Sequence, residues 1–257
     1  MPIPSALYRK ERSFDTFAWV KEYVHEAPDG SVFLADVLDR ARGRQSRAWQ
    51  FYKGQVAVTL LLKPQVRVLT RDNNLSCHFN YLSMALSRAI LEPLKSCEIR
   101  LKWPNDFIFN NKKVGGLLTE LLWKGEQPYA VIVGFALNVN NSFDMHDPLH
   151  ATATSLSEIS GLQYDEELLL QQLFSSLDHW YQRWLHKDFA TIYHAWKAQQ
   201  FYLGKKIVVH DIHEHKNTGE VIDFLSNGDL VMQNDKAERV VLSFYMVKET
   251  ELDENKR

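Results

Sequence analysis

Cysteine is scarce in this chain: Cys77 and Cys97 are the two among 257 residues. Their spacing matches no zinc-ligand pattern, and one pair in so long a chain is no disulfide framework. That points to the cytosol and to core filling for both thiols. Long hydrophobic runs are missing too. The most apolar stretches, residues 56–62 and 130–137, fall well short of the roughly 20 residues a membrane helix needs. The opening Met-Pro-Ile-Pro-Ser lacks the apolar core of a signal peptide. Neither sign of charge is in excess: 30 Lys and Arg face 32 Asp and Glu, a formal net charge of −2. This excludes the protein-wide positive field of a nucleic-acid binder, so any cationic function has to be local. Repeats and low-complexity segments are absent as well. What is present is ordinary globular composition, 45% hydrophobic and 24% charged, with 7 Trp, 10 Tyr and 14 Phe for a substantial core. The expectation is a soluble chain with no membrane or nucleic-acid partner, holding one large domain or one large and one small.

Hydrophobic periodicity predicts a helix over residues 14–27, with Phe14, Phe17, Val20 and Val24 on one face, Ser13 as N-cap and Pro28-Asp29-Gly30 as the stop. Strands are predicted over 31–37 and 56–62, and a helix over 73–95 that Pro93 shortens. Four strands joined by turns follow, at 98–103, 107–109, 114–123 and 129–139. Residues 140–161 read as irregular, 165–185 as the clearest helix and 189–199 as a shorter one. Beyond Gly204 the texture changes to short β-segments at 206–210, 218–225, 230–233 and 237–243. Asn227-Gly228 is a hairpin signal, and this tail predicts a small barrel. Because the central strands are joined by turns and not by crossover helices, the fold class is α+β, a mixed sheet flanked by helices.

Four segments have chemical potential, and each admits a plain reading beside the functional one. Residues 40–47 put four arginines and Gly43 into one loop, suited to binding an anion bidentately or to lying solvated at the surface. Lys102-Trp-Pro-Asn-Asp106 displays an amide and a carboxylate that hold Mg²⁺ or a ribose, or merely form a turn. In Lys112-Lys-Val-Gly-Gly-Leu-Leu-Thr-Glu120, the adjacent Gly115 and Gly116 mark either a bulge or a ligand against the backbone, with Lys113 beside it. Gly134-Phe-Ala-Leu-Asn-Val-Asn140 ends a strand in asparagines that face a pocket or cap a turn. His210, His213 and His215 have spacing that seats a metal, but such clusters are more often solvated turns.

Taken together and in this order, Arg42-Gly43-Arg44…Trp49, Lys-Trp-Pro-Asn-Asp, Lys-Val-Gly-Gly-Leu-Leu-Thr-Glu and Gly-Phe-Ala-Leu-Asn-Val-Asn resemble the signature blocks of the biotin–protein ligases. The resemblance runs from about Ser13 to Lys248. It implies a catalytic domain over residues 1–202, with the class II synthetase-like fold of biotin and lipoate ligases, and an SH3-like barrel over 203–257. The family often carries an N-terminal winged helix. The first block here starts near Ser13, so the short form without a DNA-binding domain is expected. The implied reaction uses ATP and Mg²⁺ to convert biotin to its adenylate, then passes it to a lysine of the biotin carboxyl carrier protein of acetyl-CoA carboxylase or a related enzyme. Family members often pair edge to edge through their sheets, so the resemblance leaves a homodimer open.

By the same resemblance Arg42, Arg44 and Lys113 meet the carboxylate and phosphate, with Gly43, Gly115 and Gly116 against the ligand. Trp49 and Asn138 lie near the adenine, and Asn105 and Asp106 position the nucleotide, Asp106 being the candidate Mg²⁺ ligand. Thr16 and Leu38 belong to the acyl side of the pocket, and there the chain departs from the pattern. Asp15-Thr16-Phe17 stands where the family usually has Ser-Thr-Asn, and Leu38 where it has Gln. Ala41 and Ser46 replace loop glycines, and Gln45 a frequent arginine. Two further readings therefore stay open: a related adenylate-forming ligase for lipoate or octanoate, and a non-catalytic binding module.

Overall fold

The computed structural model describes residues 2–64 and 75–253. Strand β1 (Leu7–Ser13) leads into helix α1 (Thr16–Tyr23), then β2 (Ser31–Leu38), two short strands β3 (Ala41–Arg42) and β4 (Ala48–Trp49), and β5 (Gln55–Leu62). Helix α2 (Leu75–Leu91) and a 3₁₀ segment (Glu92–Cys97) precede a meander of β6 (Arg100–Lys102), β7 (Asp106–Phe109), β8 (Lys112–Lys124) and β9 (Gln127–Asn138). Helices α3 (Leu156–Ser160), α4 (Glu166–Leu185) and α5 (Phe189–Lys197) follow. The chain ends in β10 (Lys206–Asp211), β11 (Lys216–Phe224), β12 (Leu230–Gln233), β13 (Arg239–Leu242) and β14 (Val247–Leu252).

Seven strands form one sheet in the order β1-β2-β5-β9-β8-β7-β6. β1 and β2 run parallel and the remaining neighbours antiparallel, so the sheet is mixed as expected. β1 is an edge strand whose Arg9, Lys10, Glu11 and Arg12 blunt it with charge. Helix α1 covers one face, packing Phe17, Trp19 and Val20 on Phe33, Leu61 and Ile132. Helices α2 and α4 cover the other, where Leu82, Leu86 and Ile90 meet Leu173, Leu177 and Trp184. Helix α1 begins later than its periodicity predicts, because Asp15 and not Ser13 is the cap: Asp15 Oδ1 accepts from the N–H groups of Phe17 (2.9 Å) and Ala18 (3.2 Å). Ser13 is the last residue of β1. Pro93 ends the α-helical part of α2, as its missing N–H requires. Residues 73–74 of that expected helix lie outside the described residues. Within the stretch read as irregular, Ser155 and Glu158 form a capping box that starts α3.

The tail is a five-stranded antiparallel sheet, β13-β12-β11-β10-β14. It is open, with no ladder joining β13 to β14 among the described residues, where the sequence suggests a closed barrel. β14 was not among the predicted strands. The apolar face of this sheet, including Ile207, Val209, Phe224 and Met232, joins the same core as Trp103 and Trp196. Among the described residues no helix is long and apolar enough to cross a membrane.

Candidate active site

Register builds the site. Cα partners run across four strand junctions as Lys102–Asp106, Asp106–Gly116, Gly116–Ala136 and Ala136–Ala57, so these five residues form one row on the α1 face of the sheet. The row is charged at the β6 end and consists of the smallest side chains toward β5. Small residues there leave space above the sheet, and a cavity of about 250 Å³ occupies it. The loop carrying β3 and β4 forms one wall, the first turn of α1 another, and Lys248, Glu249 and Thr250 of β14 a third.

Ten of the expected residues line this cavity: Thr16, Leu38, Arg42, Gly43, Arg44, Trp49, Asn105, Asp106, Lys113 and Gly116. Gly115 and Asn138 do not. Gly115 turns to the opposite face of the strand, where a Cβ would lie 2.5 Å from the Ala136 carbonyl oxygen and 2.7 Å from Leu137 Cδ2. Its small size serves strand packing. Asn138 is buried, and its amide is committed within the protein: Oδ1 accepts from Gln55 Nε2 (2.7 Å), and Nδ2 donates to the carbonyls of Thr154 (2.9 Å) and Lys113 (3.2 Å). Gln55 Oε1 in turn accepts from Trp49 Nε1 (3.2 Å). Asn138 thus bears on the site through Trp49 and the backbone of Lys113.

At the charged end Lys113 Nζ lies 2.7 Å from Asp106 Oδ1 and 5.2 Å from the centre of the Trp49 ring. Asn105 Nδ2 donates to the Leu117 carbonyl (2.6 Å), fixing the corner that follows Pro104. Arg42 Nε donates to Asp15 Oδ2 (2.6 Å), so the helix cap also anchors an arginine of the loop. Arg44 is placed differently from the expectation of a ligand-facing charge. Its Nη2 donates to the carbonyls of Phe244 (2.9 Å) and Val247 (3.1 Å), and the guanidinium lies over the Phe244 ring. Burial lowers its pKa from the ordinary arginine value. Gln45 and Arg47 donate to the Val247 and Lys248 carbonyls, so three residues of the loop clasp the start of β14. Lys102, which sequence reasoning passed over, lines the cavity half-buried, and burial lowers its pKa too.

The other end is apolar. Phe17 lies directly over Gly134, where a Cβ would come within 2.3 Å of the ring. Leu38 packs with Ala35 and Ala57. The side-chain hydrogen-bonding groups at this end are the Thr16 and Thr59 hydroxyls, already paired at 2.7 Å. Gln55, Ala57 and Lys102 went unnoticed in the sequence, although a glutamine heading a buried apolar strand was a usable signal. The arrangement suits a molecule with an apolar body and anionic groups at one end. Among the described residues the lining holds no cysteine, histidine or serine to act as a covalent nucleophile.

Comparison with known proteins agrees. The model of the biotin/lipoate A/B protein ligase family matches residues 11–138, which contain most of the cavity floor. A biotin–[acetyl-CoA-carboxylase] ligase of Paracoccus denitrificans is 30% identical over 174 residues, 65% of this chain and 69% of its own length. The bifunctional ligase/repressor BirA of Bacillus spizizenii is 28% identical over 200 residues, 74% of this chain but 59% of its own length. Among solved structures, the biotin protein ligase of Aquifex aeolicus in complex with biotin and ATP superposes with a TM-score of 0.78 at 26% identity, covering 96% of this chain and 99% of that one.

Proposed function

This chain belongs to the biotin–protein ligases of the biotin/lipoate A/B protein ligase family, and from that premise we propose that it activates biotin with ATP and transfers it to a lysine of a biotin carrier protein. The observation that carries the reading is the polarity of the floor row, lysine and carboxylate at one end and glycine and alanines at the other. Joining a carboxylate to ATP brings two anions together, so the site must first neutralise both. Arg42 and Lys113 are the cations for this. Each is held ready by a carboxylate, Asp15 or Asp106, that an incoming anion displaces. The carboxylate oxygen attacks the α-phosphorus in line, and the bond to the β-phosphate breaks with its electron pair leaving on pyrophosphate. Holding the two reactants in this geometry supplies much of the acceleration. The acceptor lysine, entering deprotonated, then attacks the acyl carbon and AMP departs.

Arg44 serves this chemistry by fixing the loop against β14, with Gly43 allowing close approach. Trp49 is the adenine-side ring, steadied through Gln55 and Asn138. The donor set fits Mg²⁺ as an ion carried by the nucleotide: no group of three His, Cys, Asp or Glu side chains forms a cage among the described residues, and Asp106, with Asn105 beside it, would hold the ion on the protein side. Bound there, Mg²⁺ would neutralise phosphate charge. Residues 1–202 are read as the ligase unit, and 203–257 as an open relative of the SH3-like barrel that completes the third wall.

Phe17 and Leu38 favour an alternative, more apolar class of acid. They leave the acyl end with few partners for biotin's ureido group, and an unpaired buried polar group costs about 1–3 kcal/mol. Lipoate or octanoate would avoid that cost. The test is biotin-dependent exchange of labelled pyrophosphate into ATP, and labelling of a biotin carboxyl carrier domain, with lipoate and octanoate in parallel. A folded preparation that exchanges with none of the three would defeat the adenylation reading. Exchange with lipoate but not biotin would replace the substrate and keep the chemistry.

A further inference from the structure

We propose that Lys102 is an additional anion-binding residue of this site, and that its ligand is the phosphate chain expelled when the acid is activated. The proposal rests on the adenylation reading above. It starts from which charges in the cavity are already engaged. Arg42 is paired with Asp15, Lys113 with Asp106, and Lys248 with Glu214. Arg44 and Arg47 donate to carbonyls of the β13–β14 segment. Arg40 is exposed to solvent. Lys102 is a half-buried cation of the lining for whose ammonium no side-chain hydrogen bond or contact ion pair is formed among the described residues, although its backbone pairs with Asp106 in the β6–β7 ladder. Taking an ammonium partly out of water without a contact ion pair is unfavourable, so such a group is suited to accept an anion.

Position decides which anion. Lys102 ends the floor row, beyond Asp106 as seen from Gly116 and the alanines. An acyl chain lying over the small residues ends in a carboxylate near Lys113, too early in the row to need Lys102. The phosphates beyond the reacting α-phosphorus continue past Asp106 toward β14. As the α-phosphorus–oxygen bond breaks, the leaving pyrophosphate gains negative charge, and an ammonium at that point stabilises it. The charged groups that act on Lys102 are Asp106, Lys113, Glu249 and Glu251. Of the two glutamates, both on β14, Glu249 lines the cavity.

The experiment is calorimetric titration of inorganic pyrophosphate, in magnesium-containing buffer, into the full chain and its K102Q and K102R variants, with biotin titrated separately. K102Q is expected to bind pyrophosphate at least tenfold more weakly, K102R nearly as well as the parent, and all three to bind biotin alike. Unchanged pyrophosphate binding by K102Q would overturn the proposal, as would no binding by the parent, or equal loss of biotin and pyrophosphate. Loss of pyrophosphate binding in K102Q with no acid-dependent exchange in the parent would keep the anion site and remove the ligase reading.

Discussion

Adjacent residues in a strand point to opposite faces, and Gly115 and Gly116 therefore answer to different constraints. A methyl on Gly115 collides with a backbone carbonyl that the β8–β9 ladder holds in place. Gly115→Ala should destabilise the fold by about 1–3 kcal/mol, seen as a lower urea midpoint. A methyl on Gly116 enters the cavity, 3.3 Å from Asp106 Oδ1 and 3.6 Å from Lys113 Cε. Gly116→Ala should leave the midpoint within about 0.5 kcal/mol and raise KM for the acid roughly tenfold, about 1.4 kcal/mol of lost binding. Equal midpoints for the two variants would contradict the assignment of faces. Removing a charge instead of adding bulk, Lys113→Ala should lower kcat by about 10²–10³, the usual effect of deleting one group that stabilises developing negative charge. Single-turnover rates would reveal it, and an undiminished rate would remove Lys113 from the chemistry. At this scale the motifs pointed to residues, Arg42, Lys113 and Asp106 among them, that the fold brings to one cavity. The sequence assigned Lys102 no role and did not show that the Asn138 amide is engaged within the protein, because which amide faces a ligand depends on a hydrogen-bond chain assembled from β4, β5 and the segment before α3.

Among the elements, the loop of residues 40–49 depends most on a distant partner. Its own hydrogen bonds are few, one two-residue ladder and a turn; Arg42 and Trp49 tie it to Asp15 and Gln55, and its far grip is Arg44, Gln45 and Arg47 on the carbonyls of residues 244–248. Hydrogen bonds from a charged donor contribute about 1.5–3 kcal/mol, less at this partly solvated position. Arg44→Ala should therefore speed tryptic cleavage within the loop roughly tenfold while the global unfolding midpoint stays put. A cleavage rate equal to the parent's would show that the clasp does not order the loop. Periodicity foretold the long helices and the meander because their burial patterns repeat over several turns or strands. It did not foretell β1, whose Arg-Lys-Glu-Arg run has the composition of a solvated segment and is held as a strand by pairing with β2. Strand β14 was missed for the same reason: Val247-Lys-Glu-Thr-Glu-Leu252 alternates weakly, and its place is set by β10. The loop's attachment was beyond reach too, since carbonyl acceptors two hundred residues away leave no trace in side-chain chemistry.

Over the whole molecule, the change of texture at Gly204 marks a second sheet, yet that sheet does not keep its contacts to itself. Trp103 Nε1 donates to the Gly228 carbonyl (2.9 Å), and Thr250 Oγ1 to the Trp103 carbonyl (3.2 Å). Trp196 packs edge-on against Phe224, and Asn80 of α2 binds the turn at Asn227. Trp103, Trp196 and Tyr202 are each no more than 2% exposed, and much of what shields Trp103 and Trp196 comes from beyond residue 203. Burying a large apolar side chain contributes about 1.5–3 kcal/mol, so uncovering these two tryptophans alone would cost about 3–6 kcal/mol. That is comparable with the whole stability of a typical domain, about 5–15 kcal/mol. The floor of the cavity ends at Lys102, next to Trp103, so the same loss would reach the active site. The expected result is one cooperative unfolding transition for the full chain, with tryptophan fluorescence and far-ultraviolet circular dichroism superimposed. A fragment of residues 1–202 should lack near-ultraviolet tryptophan dichroism and bind a hydrophobic dye. Two separated transitions, or a fragment that retains the parent's near-ultraviolet spectrum, would mean that the two sheets hold their structures independently and that β14 merely leans on a site formed without it.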